Sequence, residues 1–241
     1  MIKAVLFDLD GTMLPMNQDE FVKVYFTELC KRFCPELKMD DQTLIKAVWK
    51  ATGAMIKNDR VEHNIDVFWK TFASICGEGV LDYKNNFDEF YVNEFNACKK
   101  CCGYNPAVAE TIRTLKNKGY TVIAATNPIF PAVATNNRLG WAGVNKDDFA
   151  LVTTYENSSS CKPNPKYFTE ITDKLNLRPD ECLMVGNDID EDMIAASSVG
   201  MDVFFVKDCM INRSDKDCSQ YKQGTFKDFL DYARMMPDVR H

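Results

Sequence analysis

Ala4-Val5-Leu6-Phe7-Asp8-Leu9-Asp10-Gly11-Thr12 begins with four apolar residues and ends on two carboxylates, a glycine and a hydroxyl. Four apolar residues in a row read as a strand buried on both faces, the habit of a parallel sheet covered by helices. The carboxylates then fall at the carboxyl end of that strand, where open α/β sheets bind their ligands. On a regular strand Asp8 and Asp10 share a face, and Gly11 permits a sharp turn behind them. Two carboxylates about 4 Å apart repel by ~4 kcal/mol at an effective dielectric near about 20. That favours keeping one of them protonated, as a general acid requires. A bound cation opposes this for whichever carboxylate it touches, so the pair titrates as a unit.

Outward from this stretch, similar apolar runs recur at 120–125, 149–153, 182–185 and 203–206. Helical periodicity fills 106–117, 130–138, 165–175 and 191–199, with a last helix at 226–235. Alternating strands and helices predict a doubly wound, Rossmann-like α/β sheet. Residues 15–102 break the alternation and read as consecutive helices at 19–33, 41–55, 65–75 and 87–98, with turn signals at Pro35, Gly53 and Gly77. The expected organisation is a core domain from 1–14 and 103–241 with an inserted all-helical cap domain over 15–102. The aromatic residues of the insertion are expected to build its own core.

The chain has 241 residues, 46% hydrophobic and 27% charged, with 29 Lys and Arg against 35 Asp and Glu. A net charge of −6 argues against binding nucleic acid by phosphate neutralisation. It does not exclude a small anionic substrate, because a metal ion inverts the local charge. No apolar run is long enough for a membrane span. The first ten residues carry two carboxylates where a signal peptide would be apolar, so a cytoplasmic location is expected. The ten cysteines accordingly read as reduced thiols. The Cys98-x-x-Cys101 spacing has no matching second pair, so zinc is not expected there. Cys30 and Cys34, one helical turn apart, read as packing residues.

Other strand ends are equally polar. Thr126-Asn127 follows the second apolar run, Gly186-Asn187-Asp188 the fourth, with Asp190, Glu191 and Asp192 close behind. Lys162 sits between the third and fourth runs, in Cys161-Lys162-Pro163-Asn164-Pro165. Together these groups suit phosphoryl transfer. A hard divalent cation such as Mg²⁺, held by oxygen ligands, removes the repulsion between a phosphate ester and an anionic nucleophile. A carboxylate can then attack phosphorus, Thr126, Asn127 and Lys162 can stabilise the equatorial oxygens, and a second acid can protonate the leaving oxygen.

With these residues in view, the sequence resembles the haloacid dehalogenase superfamily, in particular its phosphatase-like members with a helical cap. Asp8-Leu9-Asp10-Gly11-Thr12 resembles the first family motif, Thr126-Asn127 the second, Lys162-Pro163-Asn164-Pro165 the third, and Gly186-Asn187-Asp188-Ile189-Asp190-Glu191-Asp192 the fourth. The resemblance implies that Asp8 is nucleophile and metal ligand. It makes Asp10 the general acid/base, with its backbone carbonyl on the metal. Thr126, Asn127 and Lys162 would bind phosphate, and Asp188 would complete the Mg²⁺ site. Asp192 would support the site or orient Lys162. The family places its acidic residue directly after the glycine of the fourth motif, whereas Asn187 stands there here, so Asn187 stays open as a ligand. Lys166 is the alternative to Lys162.

The expected activity is thus a Mg²⁺-dependent phosphatase of a small phosphorylated metabolite. A phosphomutase of the same superfamily is the nearest alternative, and a non-catalytic protein that kept the fold is another. A phosphonatase would need a cap lysine, and a dehalogenase would not use the metal. Asn17, Lys57, Arg60 and His63 are candidate substrate readers in the cap. Monomer and homodimer both remain open.

Overall fold

The computed structural model describes residues 1–213 and 215–239. The strands are β1 (Ala4–Phe7), β2 (Thr121–Ala124), β3 (Leu151–Val152), β4 (Cys182–Gly186), β5 (Asp202–Val206) and β6 (Lys222–Gly224). They form one sheet in the order β3-β2-β1-β4-β5-β6, with every neighbouring pair parallel. Val5 and Phe7 pack on one face of the sheet, Ala4 and Leu6 on the other, and all four are fully buried. Truncating a leucine in such a place, Leu6 for instance, costs about 2–5 kcal/mol.

Between β1 and the next helix of the core the chain forms α1 (Gln18–Leu37), α2 (Asp41–Ile56), α3 (Asn64–Cys76) and α4 (Lys84–Val92), with 3-10 turns at Glu78–Tyr83 and Glu94–Cys101. Local chemistry starts two of them. The Asn17 side chain accepts the Glu20 N–H at 3.1 Å, and the Asp40 side chain accepts the Thr43 N–H at 3.0 Å, satisfying donors that a helix start leaves bare. α1 runs through Pro35 and stops where Lys38 turns left-handed, at φ 53°. A proline so near the carboxyl end forfeits one backbone bond without breaking the helix. Gly53 lies inside α2 instead of ending it. The helix expected at 87–98 is divided at Asn93, whose backbone leaves helical values.

The core continues with α5 (Ala107–Asn117), α6 (Ala132–Trp141), α7 (Lys166–Leu175), α8 (Ala195–Ser198) and α9 (Phe226–Met235). α5 and α9 cover the face of Val5 and Phe7, where the Phe229 ring meets Phe7 edge-on at 5.5 Å. α7 and α8 cover the face of Ala4 and Leu6. The helix expected at 191–199 starts earlier, as a π-type turn over Ile189–Ile194, because Asp188 caps it. β6 was not expected; its Lys-Gln-Gly sequence pairs only with β5 at the sheet edge, so it carries no apolar signal.

The inserted helices and the sheet share one apolar cluster. Tyr25 meets Phe130 at 5.6 Å, and Phe95 stacks on Trp141 at 5.5 Å. The two ends of the insertion also meet, where Met16 bridges Cys102 and Gly103 donates its N–H to the Pro15 carbonyl at 2.7 Å. Among the described residues, no helix is long and apolar enough to cross a membrane.

Candidate active site

β1 has β2 on one side and β4 on the other, so connections leave its carboxyl end in both directions and open a crevice there. Asp8 follows β1 directly and is anchored by its own N–H to the Val185 carbonyl at 2.9 Å. Its side chain is buried. Oδ1 accepts from Lys162 Nζ at 2.9 Å, and Oδ2 accepts from the Thr12 hydroxyl at 3.1 Å.

Lys162 is the central cation. It is 1% exposed, and its Nζ also donates to Asp192 Oδ1 at 2.6 Å. Burial alone would lower its pKa, but the Asp192 and Asp8 carboxylates offset this and hold it well above the ordinary lysine value. Lys166, by contrast, is exposed and pairs with Asp59. The other oxygen of Asp192 accepts the N–H groups of Asn187 and Asp188, both at 3.0 Å. Burial raises the Asp192 carboxyl well above the carboxylate range, while Lys162 opposes the rise. Gly186 makes this seat possible: a Cβ there would lie 2.2 Å from Asp192 Oδ2.

Asn127 follows β2 and fixes Lys162 from the main chain. Its Oδ1 accepts the Lys162 N–H at 3.2 Å, and its Nδ2 donates to the Lys162 carbonyl at 3.4 Å. The same Nδ2 donates to Glu191 Oε2 at 3.1 Å. Burial pushes the Glu191 carboxyl up to about 7. Thr126 is buried beside Asn127; its carbonyl accepts from the Thr153 and Tyr167 hydroxyls at 2.7 and 2.8 Å.

Asp10 is held by a residue that sequence reasoning missed. Arg138 of α6, wholly buried, forms an ion pair with Asp10 Oδ2 through Nη1, and its guanidinium lies 4.5 Å over the Phe130 ring. Asp10 Oδ1 is buried with no hydrogen-bond partner among the described residues. Burial raises the Asp10 carboxyl, Asp8 adds to the rise, and Arg138 and Lys162 pull it down. A signal for Arg138 was present. It stands four residues after Ala134 and next to Leu139, on the buried stripe of its helix, where an unpaired charge would be very costly.

The acidic run after β4 divides unexpectedly. Asp188 Oδ1 caps the N–H groups of Asp190 and Glu191 at 2.9 and 3.0 Å, and its Oδ2 pairs with Arg213 at 2.9 Å. Asn187 shares the Thr12 hydroxyl with Asp8, its Oδ1 accepting from that hydroxyl at 2.9 Å. The Gly11 backbone, at φ +92°, leaves room for it; a Cβ there would lie 2.3 Å from Asn187 Nδ2. The Asp8 carboxylate and the Asn187 amide oxygen are hard oxygen donors, as is the main-chain carbonyl of Asp10. That donor set fits a Mg²⁺-like ion and not a soft metal.

Of the expected cap readers, Asn17 lines a cleft with Gly11, Asn187 and Arg213. Asn17 caps α1 and Lys57 follows α2. Arg60 pairs with Asp173 at 2.9 Å, and His63 Nδ1 faces the Ser159 hydroxyl at 3.4 Å. These last two tie the insertion to the core. So does fully buried Asn64, whose Nδ2 donates to the Pro128 carbonyl and to Cys161 Sγ, each at 3.2 Å.

A family profile described as haloacid dehalogenase-like hydrolase matches residues 2–200. The chain is 25% identical over 201 residues to pyrophosphatase PpaX of Bacillus cereus (strain B4264), covering 83% of this chain and 80% of that protein. It is 23% identical over 258 residues to glyceraldehyde 3-phosphate phosphatase of Methanopyrus kandleri, covering 97% and 98%. Among solved structures, a HAD phosphatase from Thermococcus onnurineus superposes with a TM-score of 0.61 at 21% identity, covering 99% of this chain and all of that one.

Proposed function

The chain belongs to the haloacid dehalogenase-like hydrolase family, and from that premise we propose that it is a Mg²⁺-dependent phosphatase acting through an aspartyl-phosphate on Asp8. The observation that carries this reading is the buried Asp8–Lys162–Asp192 chain, with Asp10 two residues from the nucleophile. A cationic lysine shared by two carboxylates fixes the Asp8 side chain in place and sets a positive charge beside it. That is what a nucleophile needs when the electrophile is itself an anion.

Asp8, the Asp10 carbonyl and Asn187 Oδ1 would hold the cation, with Asp188 available if it releases Arg213. When bound, the ion neutralises charge on the phosphoryl oxygens. An Asp8 oxygen attacks phosphorus, and the bond from phosphorus to the ester oxygen breaks. Asp10 in its acid form gives its proton to that departing oxygen. Lys162 and the Thr126–Asn127 segment receive the equatorial oxygens. Asp10, now a carboxylate, takes a proton from a water that attacks the phospho-Asp8, and inorganic phosphate leaves. Burial raises the Asp10 carboxyl above the usual carboxylate value, the direction that proton donation needs, while Arg138 pulls it the other way. The phosphatase names of PpaX and the Methanopyrus protein support the substrate class.

The test is phosphate release from a panel of phosphate monoesters with and without Mg²⁺, followed by acid-quench trapping of a phosphoenzyme. Wild type should form a phosphoenzyme that Asp8→Asn cannot. Turnover by Asp8→Asn at the wild-type rate would remove the mechanism. Return of the phosphoryl group to a sugar phosphate, with no inorganic phosphate released, would favour the mutase instead.

A further inference from the structure

Between the inserted helices and the sheet, with Asp10 in its wall, lies a cavity of about 190 Å³. Phe21, Tyr25, Phe68, Trp69, Phe87 and Phe130 are among its lining residues. Asp10 is the one charged residue among those that line it, and no Lys, Arg or His is among them. The Tyr25 and Tyr91 hydroxyls bond each other at 2.9 Å, so they are already engaged. Trp49 and Val22, which also line the cavity, are 51% and 36% exposed, placing its mouth between α1 and α2.

We infer that this cavity receives the leaving group, and that the substrate is the phosphate monoester of an apolar alcohol with one aromatic ring or a branched hydrocarbon of similar size. The inference rests on the phosphatase reading, because only then must the ester oxygen lie beside Asp10. Volume sets the size: an apolar cavity of about 150 Å³ takes up benzene, so this one holds a ring and a short substituent. Charge sets the class. A second phosphate or a carboxylate in the leaving group would meet no cation among the described residues that line the cavity, and a sugar's hydroxyls would exchange water for aromatic faces, with Gln18, Thr52 and Tyr155 as polar side chains there besides Asp10 and the paired tyrosines. The reaction balances as the ester plus water giving the free alcohol and inorganic phosphate. Asp10 lends its proton to the alcohol and recovers one from the water.

The experiment compares benzyl phosphate with 2-hydroxyethyl phosphate, whose alcohols are of similar acidity, using acetyl phosphate as a small activated reference and wild-type protein with Mg²⁺. The kcat/KM for benzyl phosphate should exceed that for 2-hydroxyethyl phosphate by at least ~10-fold, the scale of burying one ring. Val48→Phe, filling the cavity from α2, should shrink that ratio to below about threefold; Thr52→Phe serves if the first variant does not fold. Separately, benzyl alcohol should quench the fluorescence of Trp49 and Trp69 saturably in wild type and not in the filled variant. Turnover of acetyl phosphate with equal or reversed preference between the two esters overturns the inference, as does the absence of a saturable quench. Failure of all three substrates together with a saturable quench removes the phosphatase reading and leaves the cavity's ligand class standing.

Discussion

Arg138 and Asp10, 128 residues apart in sequence, form a charge pair inside the site, and Arg138 has no exposed surface. The arginine pulls down a carboxyl that burial pushes up. Arg138→Met removes the pull, so the Asp10 pKa should rise further. Leaving-group protonation needs the acid form, present below that pKa. The alkaline limb that Asp10 sets in the pH dependence of kcat/KM should therefore move to higher pH, and Arg138→Lys should bring it part of the way back. An unmoved limb would show that Arg138 only packs.

Lys162→Met leaves the buried Asp8 and Asp192 carboxylates without their cation. Breaking a buried pair in this way costs about 3–5 kcal/mol. Burial already raises the Asp192 carboxyl to about 7 and Lys162 opposes the rise, so without the lysine it should rise further; the penalty should be largest at alkaline pH, where Asp192 is ionised, and should shrink as falling pH protonates it. Urea unfolding at two pH values measures this. A penalty independent of pH would contradict the ion-pair account.

In Gly186→Ala the new Cβ would fall 2.2 Å from Asp192 Oδ2, so the carboxylate must leave. The Asn187 and Asp188 N–H groups then lose their acceptor, and unsatisfied buried donors cost about 1–3 kcal/mol each. Thermal unfolding should show at least that loss, together with a fall in kcat as Lys162 loses one of its two partners.

Dialysis against a chelator should abolish phosphate release, and Mg²⁺ should restore it. Asn187→Ala should raise the Mg²⁺ concentration for half-maximal rate by at least ~10-fold, the scale for loss of a metal-supporting group. Asp188→Ala should chiefly weaken its helix, by about 1 kcal/mol for a lost cap. The reverse pattern would put Asp188 on the metal.

Asn64→Ala should destabilise the protein by about 1–3 kcal/mol, since a buried amide bonding three segments is lost, and should raise KM as the inserted helices lose their seat. Asp59→Ala, which breaks an exposed pair with Lys166 and an exposed hydrogen bond from Asn164, should change little. Parallel thermal melts and KM values compare the two.

The sheet was readable because its central strands are buried on both faces. Runs such as Ala4–Phe7 and Cys182–Gly186 are apolar without interruption, and no competing pattern explains that. β6 lay beyond reach because an edge strand of three polar residues obeys no such rule. Asp8, Lys162 and Asn127 were legible through short motifs at strand ends. Arg138 stood out only as a charge on a buried stripe; its partner Asp10, 128 residues away in sequence, is met only in the fold. The local sequence Gly186-Asn187-Asp188 could not tell which of two neighbouring side chains turns toward Asp8. That choice depends on the N–H groups of Asp190 and Glu191 and on Arg213, which together claim the carboxylate of Asp188.

The crossing at Met16 and Cys102 gives the four inserted helices a narrow stalk. A lobe attached through neighbouring points can be exchanged for one of another size without stretching the sheet beneath it. Grafting a foreign helical lobe between Pro15 and Gly103 would therefore set a different wall over the same Asp8 and Asp10 carboxylates, so that new appetites can evolve on an old engine.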